Sequence, residues 1–228
     1  MPKYTIEFIG TYFLVLSLIL VSVFDQGGAM GPFAVGLVLL AMTLSGGHIS
    51  GGHFNPAITL AALMHKKLSP AEGGWYFGVQ IAGALGGAFT AMAMNPREKD
   101  LVQTMSFNFD VQAIPMILGE FAFTLALVWV FLLPLLTSDI NRKLWQGLII
   151  AGLYAGGLAV VGGEMVAAFN PAAIAGFVVS GKLAVSTALL YMFVQFLAAL
   201  TVALSIEHIF PMEEKKMADE PEINRDHR

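Results

Sequence analysis

The sequence contains no cysteine and has few charged residues, and both absences limit what the chain can do. Without cysteine there are no disulfides, thiolate metal sites or cysteine nucleophiles. Charged residues make up 12% of the 228 positions, about half the usual share for a soluble domain, while 57% are hydrophobic. The net charge of −4 gives no indication of nucleic-acid binding. The composition is that of a membrane protein, with room for about six crossings of roughly 20 residues.

Long apolar stretches dominate the chain. Six are long enough to cross a hydrocarbon core of about 30 Å, and they cover residues 4–24, 30–49, 71–94, 113–136, 144–162 and 184–210. The intervals 50–68 and 163–182 are too apolar for exposed loops, yet they reach only about halfway across a bilayer. We therefore predict an all-α membrane protein with six transmembrane helices and two re-entrant segments.

Lysine and arginine are distributed unequally between the two sides of this arrangement. One side receives nine of the twelve basic residues and the other receives three, which are Arg97, Lys99 and Lys182. Since basic residues collect in cytoplasmic loops, both termini are predicted to be cytoplasmic, in a plasma or inner membrane. Residues 1–210 then form a single membrane domain, and the charged segment 211–228 forms a disordered cytoplasmic tail.

The two halves of the chain repeat each other. The motif Phe54-Asn55-Pro56-Ala57 recurs 115 positions later as Phe169-Asn170-Pro171-Ala172. Gln80 recurs as Gln195 at the same offset, and Glu7 matches Glu120 at an offset of 113. Each half, at about 4–94 and 113–210, has three crossings, so the copies enter the membrane from opposite sides. The repeats are therefore predicted to be inverted.

The repeated Asn-Pro pair marks the start of a helix, because proline is favoured at the first helical position and asparagine just before it. We predict half-helices over 56–66 and 171–180 whose N-termini meet near the midplane, where their positive dipole ends disfavour cations. The preceding residues are expected to be non-helical and to line a path with backbone carbonyls. They are Gly51, Gly52, His53 and Phe54 in the first half, and Val166, Ala167, Ala168 and Phe169 in the second.

The segment His48-Ile49-Ser50-Gly51-Gly52-His53-Phe54-Asn55-Pro56-Ala57 resembles the first signature loop of the aquaporin family, also called major intrinsic proteins. The resemblance covers essentially residues 4–210. It implies six tilted spans with two half-helices, a pore in every subunit and a homotetramer. It also implies that Glu7 and Glu120 are structural carboxylates that accept hydrogen bonds from the re-entrant loops, in line with the pairing expected of carboxylates inside a membrane.

The sequence departs from the family pattern at the narrowest point of the pore. Ala173 stands where the family usually has an arginine directly after the second Asn-Pro-Ala. The other filter positions, placed by their distances from the two asparagines, fall on Val35, Leu158 and Ala167. A wide, apolar constriction is expected, with less discrimination by hydrogen bonding. Glu164 is expected near the outer mouth.

The function expected from these features is passive conduction of water and small neutral solutes, such as glycerol, urea, or boric or arsenous acid. Two alternatives stay open at this point. One is an ion- or anion-permeable channel on the same fold, since the arginine is missing; the other is a secondary transporter, since transporters also use inverted repeats and broken helices. We expect no enzymatic activity, no cofactor and no metal, because the sequence shows no nucleophile–base arrangement, phosphate loop or metal-ligand cluster.

Overall fold

The computed structural model describes residues 1–96, 102–106, 113–136, 142–162 and 166–209. These ranges form eight α-helices and one turn of 3-10 helix at Gly28–Met30. The helices are α1 Pro2–Ser22, α2 Gly31–Ser50, α3 Pro56–Met64, α4 Pro70–Met94, α5 Ala113–Leu136, α6 Arg142–Val161, α7 Pro171–Val179 and α8 Val185–Ile209. The predicted tail 211–228 and Glu164 lie outside the described residues.

The six long helices correspond to the six apolar stretches of the sequence, with boundaries that differ by at most two residues. Five of them are long and apolar enough to cross a membrane, namely Pro2–Ser22, Gly28–Ser50, Pro70–Met94, Ile114–Leu133 and Val185–Ile206. In the sixth, α6, the apolar part runs over Trp145–Val161 and is somewhat shorter. Spans of this length and composition make the chain an integral, multi-pass membrane protein.

The two short helices begin at the predicted prolines and end slightly earlier than expected. The Asn55 side chain caps α3 by accepting a hydrogen bond from the Ala57 N–H at 2.8 Å. The Asn170 side chain caps α7 by accepting one from the Ala172 N–H at 2.9 Å. We predicted that these helices would end at residues 66 and 180, but they end at Met64 and Val179. The chain then turns through left-handed backbone conformations, at Lys66 with φ +54° and Gly181 with φ +76°.

Each half-helix packs against helices of the opposite repeat. Helix α3 of the first half contacts α5 and α8 of the second, as well as α4 of its own half. Helix α7 of the second half contacts α1 and α4 of the first, and also α8. The halves are therefore interlocked through their short helices, so that neither half completes its own core.

Helices α1 and α4 approach each other closely where α4 has glycines one turn apart. A Cβ atom at Gly83 would lie 2.4 Å from the Phe8 carbonyl oxygen, and one at Gly87 would lie 2.4 Å from the Tyr12 carbonyl oxygen. Both contacts are with backbone, which cannot move aside as a flexible side chain can. Small residues at these positions are what permit the crossing, as in other membrane helix pairs.

Replacing Gly83 by alanine should destabilise the protein, because the added methyl group pushes α1 away from α4. We expect a loss of about 1–3 kcal/mol in the free energy of unfolding, measured by thermal or denaturant unfolding in detergent. Gly78→Ala is the matched control, since nothing lies within 4 Å of a Cβ at that position of α4. Equal stability of the two variants would contradict the close crossing.

Candidate functional site

The two half-helices meet at their N-termini through a crossed pair of hydrogen bonds. The side-chain amide of Asn55 donates to the Phe169 carbonyl at 2.8 Å, and that of Asn170 donates to the Phe54 carbonyl at 2.9 Å. Both asparagines are buried. The positive ends of two helix dipoles, each equivalent to about half an elementary charge, therefore face one region of the molecule.

Phe54 and Phe169 adopt a left-handed backbone conformation that residues other than glycine rarely adopt. Their φ angles are +48° and +50°. Such residues cost of order 1–3 kcal/mol each and persist only where their surroundings hold them in place. Here each phenylalanine is held at both ends, because its carbonyl accepts from the partner asparagine and its N–H donates to a buried carboxylate.

The carboxylate in the first half is Glu7 on α1, which is fully buried. One of its oxygens accepts from the Ser50 hydroxyl at 2.7 Å and the His53 N–H at 3.0 Å. The other accepts from the Phe54 N–H at 2.7 Å and the Gln80 side-chain amide at 2.9 Å. Four donors compensate the removal of this group from water.

Glu120 on α5 plays the same part in the second half and is also fully buried. It accepts from the Ala168 N–H at 2.7 Å, the Phe169 N–H at 2.9 Å and the Gln195 amide at 2.7 Å. The carboxylate, glutamine and loop N–H groups of one repeat thus recur in the other. Each approach to a half-helix is tied to the long helices of its own repeat.

The approach segments present backbone carbonyls beside the asparagines. Gly51 and Gly52 have φ angles of +93° and +65°, which turn the chain out of α2 toward α3. Apart from the Phe54 and Phe169 carbonyls, that of Ala168 accepts a bond, from the Tyr154 hydroxyl at 2.7 Å. In the described part of the chain no donor is found for the remaining carbonyls, which belong to Gly51, Gly52, His53, Val166 and Ala167.

The four predicted filter residues belong to one buried apolar cluster. Val35 lies on α2 and Leu158 on α6, and these helices cross closely. The closeness is shown by Gly36, where an added Cβ would lie 2.7 Å from the Cβ of Ala155. Ala167 precedes α7 and Ala173 lies in its first turn. Their exposed fractions range from 0% to 5%, so this apolar level consists of buried, apolar side chains, and a wide opening between them stays a prediction.

A cavity of about 590 Å³ lies next to this level. Leu158 belongs to its lining, together with residues from the end of α1, the start of α2 and the end of α6. The charged residues in the lining are Asp25 and Lys182. No group of three or more His, Asp or Glu side chains suited to a metal ion occurs among the residues described.

Comparison with known proteins decides the family. A family model described as "Major intrinsic protein" matches residues 1–162 of this chain. The chain belongs to the major intrinsic protein family.

Individual members of the major intrinsic protein family match over shorter stretches. The glycerol uptake facilitator protein-like 6 of Lactiplantibacillus plantarum is 38% identical over 86 residues, which are 37% of this chain and 40% of that protein. Human aquaporin-4 is 37% identical over 101 residues, covering 40% of this chain and 31% of aquaporin-4. The matched regions thus span at most two fifths of the length of these relatives.

A solved structure supports the fold over nearly the whole chain. The aquaglyceroporin from Plasmodium falciparum superposes with a TM-score of 0.67, at 19% sequence identity, over 92% of this chain and 97% of that one. The predicted all-α, aquaporin-like fold is therefore confirmed.

Several residues of the site in this major intrinsic protein were not predicted. Tyr76 donates to the Ser50 carbonyl at 2.7 Å, as Tyr154 does to that of Ala168. The His53 ring bonds to the Thr59 hydroxyl at 3.0 Å, and Gln80 donates to the same oxygen at 2.9 Å. The internal repeat could have indicated some of these residues, because Gln80 recurs as Gln195. It could not have indicated Tyr154, because the residue 115 positions before it is not a tyrosine.

Glu7→Gln and Glu120→Gln should each destabilise the protein, because an amide nitrogen then faces buried N–H donors in place of an accepting oxygen. The expected loss is about 1–3 kcal/mol for each variant, measured by unfolding in detergent. Glu72→Gln is the control for the same exchange at a more exposed position, where the carboxylate caps α4 and pairs with Lys3. A loss for the buried variants no larger than for the control would show that the two carboxylates do not hold the loops.

Proposed function

We propose that the protein is a passive transmembrane channel for water and small neutral solutes, with no enzymatic activity and no cofactor. The solutes proposed are glycerol, urea and metalloid hydroxides such as boric or arsenous acid. The observation that carries the proposal is the crossed pairing of Asn55 and Asn170 between two half-helices. Two relatives of the chain, a glycerol uptake facilitator and an aquaporin, favour the same activity by their names.

The asparagines offer the donors that a passing solute needs. A side-chain amide has two N–H groups. In each asparagine, one of them donates to the phenylalanine carbonyl of the opposite loop. The second N–H of each amide can bind a solute oxygen. The carbonyls of the approach segments, such as those of Gly52 and Val166, would accept hydrogen bonds before and after this point. A line of donors and acceptors of this kind suits uncharged hydrogen-bonding molecules.

The apolar level formed by Val35, Leu158 and Ala173 determines what such a channel excludes. An ion that loses its water here gains no compensating polar group, and burying a charge without a partner is very costly. The two helix dipoles add a positive potential that disfavours cations and protons. These features favour neutral solutes over the ion channel considered as an alternative.

We further propose that the protein is a homotetramer in a lipid bilayer, with both termini in the cytoplasm. The distribution of lysine and arginine supports the orientation. A small-residue stripe on α6 supports the assembly, because Gly152 and Gly156 are four positions apart and nothing lies within 4 Å of a Cβ at either. Exposed Ile149 and Val160 extend this face, and such stripes allow close contact between membrane helices.

The proposal is tested by light scattering from vesicles that contain the purified protein, under gradients of water, glycerol, urea and boric acid. We expect faster water flux than in empty vesicles, and faster flux of at least one of the three solutes. If only water flux rose, the proposed solute range would be contradicted. If neither water nor any of the three solutes moved faster than in empty vesicles, the channel itself would be contradicted.

Ala173→Arg extends the same experiment by placing five N–H donors and a charge at the apolar level. We expect solute flux to fall by about tenfold or more, because the long side chain narrows the path, while water flux is largely kept by the new donors. Ala173→Met is the control for length without donors, and it should reduce water flux more than the arginine does. Unchanged solute flux in both variants would place the constriction elsewhere.

A further inference from the structure

The cavity beside the apolar level has an unequal pair of charges. Its lining is otherwise uncharged, and it includes Ser22, Pro32, Leu158 and Gly162. Asp25 follows α1 and is exposed, whereas Lys182 follows α7 and is only partly exposed. An exposed carboxylate is screened by water more strongly than a half-buried ammonium group. The positive charge is therefore the less screened of the two.

The backbone of Lys182 is fixed in place. Its N–H donates to the Phe177 carbonyl at 3.0 Å, and its carbonyl accepts from the Met105 N–H at 2.8 Å. The Thr104 hydroxyl also donates to the neighbouring Gly181 carbonyl at 2.7 Å. Within the described ranges no ion pair involves Lys182. Its charge is therefore not paired with a described carboxylate.

We propose that Lys182 is a specificity-determining residue, whose ammonium group excludes cations from the path before they reach the apolar level. This inference rests on the proposed function. The neighbouring apolar level is uncharged, and the cavity lining has no charged residue besides Lys182 and the exposed Asp25. At an effective dielectric constant of about 20 and a separation of about 8 Å, one unit charge changes the local concentration of a monovalent cation by roughly thirtyfold.

Urea and guanidinium are suitable probes, because they have nearly the same size and shape but differ in charge. Guanidinium is also weakly hydrated, so its exclusion depends less on dehydration than that of potassium does. The experiment measures uptake of both molecules, together with water flux, in vesicles containing the full chain. We expect the wild type to admit urea and to exclude guanidinium.

Lys182→Gln should raise guanidinium uptake by about five- to thirtyfold and leave urea uptake unchanged. Lys182→Arg keeps the charge and should keep the exclusion. Lys67→Gln is the matched control, since this exposed lysine follows α3 and is not part of the cavity lining. The effect of Lys182→Gln should shrink as salt is raised from 0.01 M to 1 M, where screening shortens the range of the charge.

The outcomes separate this inference from the proposed function. If urea and water pass but Lys182→Gln still excludes guanidinium, Lys182 is not the excluding charge and the channel stands. A variant that is merely less stable, with unchanged selectivity, would assign Lys182 to capping the C-terminal end of α7 and would overturn the inference. If the wild type conducts water but not urea, guanidinium is excluded by size and the inference is wrong. Absence of both fluxes would overturn the proposed function and this inference with it.

Discussion

Two buried carboxylates hold the backbone conformation on which the centre of this membrane protein depends. Glu7 and Glu120 each bind the N–H of a phenylalanine with a left-handed backbone, Phe54 or Phe169. That conformation presents the phenylalanine carbonyl to the asparagine of the other repeat. Without the carboxylates, two strained residues and several buried N–H groups would lose their partners. The cost of burying two acidic groups in a membrane is thus offset by the donors they satisfy.

The interlocking of the repeats follows from the same arrangement. Because each asparagine reaches across to the opposite loop, α3 and α7 must enter from opposite sides and lie among helices of the other half. Close approach of the long helices is then required, and glycines such as Gly83 and Gly36 provide the space. The cavity lies where the end of α1, the start of α2, the end of α6 and the segment after α7 come together.

The fold and the central residues of the site could be predicted from the sequence, because the internal repeat pairs residues that face a common point. The offset of 115 identified Asn55 with Asn170 and Gln80 with Gln195, and it predicted the inverted fold. The left-handed backbone of Phe54 could not be predicted, since phenylalanine has no preference for it. The repeat would pair Tyr76 with Tyr191, yet the tyrosine that supports the second loop is Tyr154 on α6. The close approach of α2 and α6 at Gly36 and Ala155 depends on how the two helices cross, which residue types alone do not determine.

The central claim is that the two loops are joined by the crossed asparagine bonds, and a double-mutant cycle tests it most directly. The free energy of unfolding is measured in detergent for Asn55→Ala, Asn170→Ala and the double variant. Each substitution also removes a helix cap, but this local effect is the same with and without the other substitution and cancels in the cycle. The interaction energy that is left therefore measures the link between the two loops. We predict that the double variant loses less stability than the two single variants together, by about 0.5 kcal/mol or more, because losing one bond loosens the other. Additive losses would contradict the account.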